Sequence, residues 1–153
     1  MERQPTTNIS ILVINGPNIN MLGIREPDIY GSESYDGLCS RVSSHAAGKG
    51  IGCQILQSNH EGDLVDMIQR AFFDKVDGLV FNPGAYTHTS IAIADALKAT
   101  RIPTVEVHIS DVSSREAFRQ ISYIRESCIA TVSGKGIDGY LEAIDIICKY
   151  LSR

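Results

Sequence analysis

Ile9-Ser10-Ile11-Leu12-Val13-Ile14 is rich in β-branched residues and apolar on both faces, the composition of a strand buried inside a parallel sheet. The same character returns in Gly78-Leu79-Val80-Phe81 and, more briefly, at residues 53–57 and 129–132. Thr104-Val105-Glu106-Val107-His108-Ile109 reads as a further strand, unusual in carrying two polar groups on one face. Between these runs the apolar period lengthens to that of a helix. Ser34 caps a helix over 34–49 that Gly50 or Gly52 ends, with a thin stripe of Leu38, Val42 and Ala46. Leu64, Ile68, Ala71 and Phe72 recur at helical spacing as far as residue 74, and residues 91–97 form a third helix that stops before Pro103. Residues 113–121 read as a short helical or irregular crossover. A last helix over 137–151 turns Leu141, Ile144, Ile147, Cys148 and Leu151 inward.

Five strands alternating with helices imply an α/β fold. The simplest form is a flavodoxin-like, five-stranded parallel sheet with right-handed crossovers and helices on both faces. The 153 residues suffice for one domain with a real core. The expected division is a loose polar tail over 1–7 and a single domain over 8–153. A formal net charge of −4 without a basic cluster argues against nucleic acid or an anionic membrane surface as partner. It leaves room for a small anionic ligand, which needs only a few local cations. Cys39, Cys53, Cys128 and Cys148 lack CxxC spacing and sit in apolar patterns, so they read as buried reduced thiols of a cytoplasmic protein. No signal peptide is evident before the first strand, and no apolar run approaches the roughly 18 residues of a membrane span.

The connection over 15–31 is far longer than the roughly 2–6 residues that join a strand to a helix, and it carries Asn18, Arg25 and Tyr30 among glycines and prolines. In a sheet of this kind ligands bind beyond the carboxyl ends of the strands. The polar clusters at 15–30, 57–61, 82–90 and 106–119 all follow strands, so topology alone brings them to one rim.

Each cluster has a plain reading beside a chemical one. Gly134-Lys135-Gly136-Ile137-Asp138-Gly139 fits the G-x-G-x-x-G string, yet too little chain follows for the strand and acid of a dinucleotide site, and a tight turn with close helix packing is preferred. Glu106 and His108 are either a satisfied buried pair or an imidazole whose tautomer a carboxylate fixes. His60, His88, Glu61 and Glu106 lack any metal-ligand spacing, and no metal is expected. Asn82-Pro83-Gly84-Ala85-Tyr86-Thr87-His88-Thr89-Ser90 places several donors at a helix start, a suitable anion site. Arg115 and Arg119 are a solvated face or, beside that site, Arg119 is a carboxylate clamp. Asp95 is a surface residue or a contact across a subunit boundary.

Four of these runs, NGPNINMLGIREPDIYG (15–31), QSNHEG (57–62), NPGAYTHTS (82–90) with Asp95, and EVHISDVSSREAFR (106–119), resemble the type II 3-dehydroquinate dehydratases. The resemblance runs from about residue 9 to residue 151. It implies loss of water from 3-dehydroquinate to give 3-dehydroshikimate, with no cofactor and no metal, in biosynthesis of aromatic compounds or in quinate breakdown. It implies homo-oligomers, trimers assembled into a dodecamer. Carried over residue by residue, Tyr30 matches the base, Arg25 the group that stabilises tyrosinate, and His108 the acid, oriented by Glu106. Asn18 matches a stabiliser of the enolate acting through a water. Asn82, His88, Ile109, Ser110 and Arg119 match substrate contacts, and Asp95 a contact reaching a neighbouring subunit's site.

These residue types suit the chemistry. A free tyrosine titrates near 10, too high for a base at neutral pH. An arginine at about 4 Å, in a medium of effective dielectric about 20, favours tyrosinate by about 4 kcal/mol, against which desolvation works. Glycines at 16, 23 and 31 suggest that 15–31 is a lid, open without ligand. No lysine falls in the motifs, as a Schiff-base route would require. A non-enzymatic flavodoxin-like module would show an acidic phosphoacceptor cluster or a flavin site, and neither is clear. Two residues depart from the family pattern: Asp111, where Asn is common and where it would add charge near a carboxylate substrate, and Ala94, where Arg often precedes the helix aspartate.

Overall fold

The computed structural model describes residues 8–24, 28 and 33–152. β1 (Ser10–Asn15) pairs in parallel with β2 (Gly52–Gln57) on one side and β3 (Gly78–Asn82) on the other. β4 (Thr104–His108) and β5 (Ala130–Ser133) extend the sheet in the order β2-β1-β3-β4-β5. That is the flavodoxin order, with its switch point between β1 and β3.

The two-sided apolar character of β1 is explained by what lies on each face. Ile11 and Val13 enter one core with Val80, Val105 and Val107, covered by α1 (Tyr35–Gly48) and α4 (Asp138–Leu151). Leu12 and Ile14 enter the other with Leu79 and Phe81, covered by α2 (Glu61–Phe73) and α3 (Ile91–Thr100). Alternation along a strand sends neighbours to opposite faces, so both must be apolar. The edge strand β2 is only partly covered.

Local chemistry sets the ends. Ser34 Oγ accepts the Gly37 N–H and caps α1, and Ser90 Oγ does the same for Ile93 at α3. Arg101, at φ 56°, closes α3 before Pro103. Several expectations need correction. α2 starts at Glu61 rather than Leu64, because Ser58 Oγ accepts the His60 N–H and donates to Asp63, fixing the turn ahead of the helix. The crossover after β4, by contrast, is short helical and irregular, as expected. It is three 3₁₀ turns, Val112–Ser114, Ala117–Arg119 and Arg125–Ser127. On α4 the fully buried face is Tyr140, Ala143, Ile144 and Ile147, with Leu141 only half-buried. The four cysteines are free but partly rather than fully buried. No helix of the described residues is long and apolar enough to cross a membrane.

Candidate active site

The carboxyl ends of β1, β3 and β4 surround a cleft lined by Pro17, Asn18, Ile19, Asn82, Gly84, Ala85, His88, His108, Ile109, Ser110, Val112, Arg115 and Arg119. Its empty space, about 550 Å³, includes open solvent at the mouth. Seven of the residues singled out from the sequence thus meet at one place: Asn18, Asn82, His88, His108, Ile109, Ser110 and Arg119. Arg25 and Tyr30 lie outside the described residues. Asp95 is exposed on α3 and does not line the cleft.

The wall near Asn18 is anchored. Gly16 donates its N–H to the Asn82 carbonyl at 2.7 Å, and a Cβ at Gly16 would stand 2.2 Å from the Pro83 oxygen. Ile19 and Leu22 are buried in the core. The 57–62 motif does not line the cleft; it holds this wall. Asn59 Oδ1 accepts the Asn18 N–H and one Gln57 N–H, while Gln57 also donates to the Gly16 carbonyl. The idea that 15–31 moves as one lid is therefore corrected: its first part is packed, because Gly16 serves a close backbone approach rather than a hinge. What remains of that expectation concerns residues outside the described ones.

At the end of β4, His108 Nε2 donates to Glu106 Oε2 at 2.5 Å. The glutamate side chain is fully buried and the histidine nearly so. Three further groups, which the sequence did not reveal, converge on the carboxylate. Arg125 donates through Nε to Oε1 at 3.3 Å and through Nη2 to Oε2 at 3.1 Å, and the Ser122 and Thr131 hydroxyls donate to Oε1. Burial pushes this carboxyl up, but the bonds and charges of His108 and Arg125 outweigh it and hold the group at about 2. Glu106 is therefore ionised, the Nε2 of His108 carries the proton facing it, and Nδ1 is the ring nitrogen left for other work. Nearby, burial and then the Glu106 charge push the Cys128 thiol up to about 12, so it stays protonated.

His88 donates from Nδ1 to the Ile121 carbonyl at 2.7 Å, and burial lowers its pKa, favouring the neutral ring. Asn82 is 3 % exposed. Its Oδ1 accepts the Gly84 N–H, and its Nδ2 donates to Tyr140 Oη. Ser110 Oγ accepts from Arg115. Arg119 Nε lies 2.9 Å from Glu116 Oε2, a close ion pair without hydrogen-bond alignment.

The glycine string at 134–139 is a tight turn, as preferred. Gly134 and Gly136 have positive φ, and their N–H groups are spent on the carbonyls of His108, Ser110 and Ile109, which pins the strand end beneath the cleft. A Cβ at Gly139 would come within 3.3 Å of Val132, so the helix packs closely there. Asp111 caps the next turn, accepting from Ser113 N and Oγ, and does not line the cleft. The expected extra charge beside the ligand is corrected accordingly.

The cleft therefore presents two arginines and two histidines, and no carboxylate among its described lining residues. No three described His, Cys, Asp or Glu side chains group as metal ligands would. The arrangement suits a small anion that must exchange a proton with an imidazole.

The family model for dehydroquinase class II matches residues 9–148. The chain belongs to the class II dehydroquinases. A 3-dehydroquinate dehydratase of Caldicellulosiruptor bescii is 53% identical over 134 residues, covering 88% of this chain and 92% of the relative. One of Fusobacterium nucleatum is 48% identical over 147 residues, covering 95% and 100%. The crystal structure of a type II dehydroquinase from Butyrivibrio crossotus superposes with a TM-score of 0.91 at 49% identity, covering 92% of this chain and 98% of that one. The dehydroquinase fold thus extends over nearly the whole described chain.

Proposed function

We propose that this class II dehydroquinase is a hydro-lyase that dehydrates 3-dehydroquinate to 3-dehydroshikimate, with Tyr30 as base and His108 as acid. The observation that carries the reading is the His108–Glu106 pair, nearly buried at the back of a cationic cleft. Tyrosinate at Tyr30, favoured by Arg25, removes a proton from the carbon beside the substrate ketone. The C–H pair moves into the ring as an enolate, and Asn18 stabilises the oxygen through a water. When the enolate reforms the ketone, the C–O bond at the β-position breaks. The departing hydroxyl takes the Nδ1 proton of His108 and leaves as water, while Glu106 holds the ring by Nε2. Arg119, Asn82, His88 and the Ile109–Ser110 backbone hold the carboxylate and hydroxyls. The route calls on no cofactor and no metal. No lysine lines the cleft among the described residues, which disfavours a Schiff-base route to the same product.

The subunit is read as part of a dodecamer built from trimers, cytoplasmic, acting in the shikimate pathway or in quinate breakdown. Asp95 and the 60 %-exposed Ile91, four residues apart on one face of α3, are the surface offered to a neighbouring subunit.

The test is ultraviolet absorbance of the conjugated product on adding 3-dehydroquinate. The wild type is expected to generate it, and Tyr30→Phe and His108→Ala to remain folded with turnover at least about a hundredfold lower. Absence of product from the wild type refutes the reaction, and near-normal turnover in either variant refutes the roles.

A further inference from the structure

Tyr140 is a buried phenol that the reaction does not use. It sits in the first turn of α4, is fully buried, and reaches the carboxyl ends of both central strands. Its Oη accepts from Asn82 Nδ2 at 2.9 Å and donates to Asn15 Oδ1 at 2.7 Å. Asn15 is 0 % exposed and pairs in register with Asn82 across β1 and β3.

With the Gly84 N–H as the fixed point, the hydrogen bonds of this chain of groups resolve in one way, leaving Asn15 Nδ2 without a hydrogen-bond partner. The Asn82 carbonyl oxygen is taken by the Gly84 N–H, so its amide nitrogen must face Tyr140. Tyr140 has one proton, which goes to the Asn15 oxygen, so toward Asn82 it can only accept. Burial pushes the phenol up and keeps that proton in place. One of the two Asn82 N–H donors is consumed; the other is left for the cleft that Asn82 lines. Without the Tyr140 hydroxyl the amide would be held through its oxygen alone, by the Gly84 N–H, and its nitrogen would be free to swing out of line with the cleft.

We propose that Tyr140 is a positioning residue for substrate binding: its hydroxyl locks the Asn82 amide so that one N–H faces the cleft, and ties the start of the Asn18 wall to the same point. This rests on the proposed reading of Asn82 as a substrate contact. Tyr140 itself touches no substrate.

Tyr140→Phe removes the oxygen and keeps the ring that fills the core. The expected result is a KM for 3-dehydroquinate raised about tenfold, the worth of one misdirected hydrogen bond, with kcat changed much less. Calorimetric affinity for quinate, the analogue with the ketone reduced to an alcohol, should fall by the same factor. In an Asn82→Ala background the further change to Phe should have no added effect on KM, since the group it orients is gone. Unchanged KM and quinate affinity, or effects that simply multiply in the double variant, overturn the proposal. A second readout needs neither activity nor the variant: in ¹⁵N-labelled wild type, one Asn82 side-chain proton should be protected from solvent exchange and the other should shift on adding quinate. Two equally exchanging protons overturn the lock. If the wild type neither turns over 3-dehydroquinate nor binds quinate, the functional reading fails. Loss of the protected Asn82 proton in Tyr140→Phe then still establishes the lock itself.

Discussion

Replacing Glu106 by Gln tests the site where structure and chemistry are most tightly joined. The change keeps size and removes charge at a fully buried carboxylate that receives four side-chain donors: His108, Arg125, Ser122 and Thr131. Its cost can be reached by two routes. The folded carboxyl lies at about 2 against an ordinary 4.5, a gap that corresponds to about 3 kcal/mol in favour of the ionised folded form at neutral pH. Alternatively, a carboxamide accepts at one oxygen only, so its NH₂ faces Arg125 in either orientation and His108 as well when it takes the Oε2 place, donor against donor. Each such buried mismatch costs about 1–3 kcal/mol. Arg125 is 50 % exposed, so water recovers part of its loss and the lower figure applies to it. The second route spans about 1–4 kcal/mol, a range that contains the first.

The pH dependence carries the sharper signature. Because the folded carboxyl is depressed, its stabilisation is complete above the unfolded value near 4.5 and is lost as the pH falls toward 2. Glu106→Gln has no such group. Urea unfolding should therefore show the variant about 3 kcal/mol less stable at pH 7, with the gap closing steadily below pH 4.5. Turnover at pH 7, followed by product absorbance, should fall at least about a hundredfold, since the imidazole loses both its orientation and the charge that balances it. Turnover within a few-fold of wild type, or a stability gap that stays constant down to pH 3, would refute the reasoning.

Gly16→Ala should destabilise the protein by about 1–3 kcal/mol, read by thermal melting. Its Cβ would meet the Pro83 backbone at 2.2 Å, and no side chain can yield to relieve it; an unchanged melting point would contradict the packed wall at 15–24. Light scattering of the purified protein should give about 200 kDa, twelve chains of 16.7 kDa, and Asp95→Ala should weaken substrate binding in the assembled enzyme; a monomer with full activity would remove both the assembly and the role of Asp95.

The central strands were legible because each of their residues answers to a core: Ile11 and Val13 to one, Leu12 and Ile14 to the other. Flanking elements were less so. On α4, a stripe drawn through Leu141 is one position away from the buried Tyr140, because an aromatic with a polar tip does not register as core. The crossover after β4 carries no period to read, since its 3₁₀ turns are held by local bonds such as Asp111 to Ser113. That is also why Arg125 escaped notice. It stands in the last of these turns and meets Glu106 only through the parallel pairing of β4 with β5, which sets Thr131 opposite Glu106. The cleft residues themselves were found because parallel topology puts every strand's carboxyl end on one rim, so loop residues far apart in sequence needed no contact prediction to be grouped. Arg25 and Tyr30, which complete the proposed chemistry, lie outside the described residues.

A chain with net charge −4 can serve an anionic substrate because its charges are sorted by depth. The carboxylate nearest the chemistry, Glu106, is withdrawn behind the imidazole and shares its oxygen Oε2 between His108 and Arg125. Divided between an imidazole N–H and a guanidinium, it fixes the ring without presenting its charge to the cleft. Arg125 lies outside the cleft and lines a separate side cavity with Thr131 and Ser133. It can therefore balance Glu106 without competing for the ligand, while Arg115 and Arg119 face the cleft. The hydrogen bonds from Ser122 and Thr131 complete the carboxylate's shell, so no water is needed at a group buried this deeply. Arg125 and Tyr140 act alike in this respect: each approaches a cleft residue from behind, one through a charge and the other through a hydroxyl. The side chains that line the cleft are thereby set by side chains that do not line it.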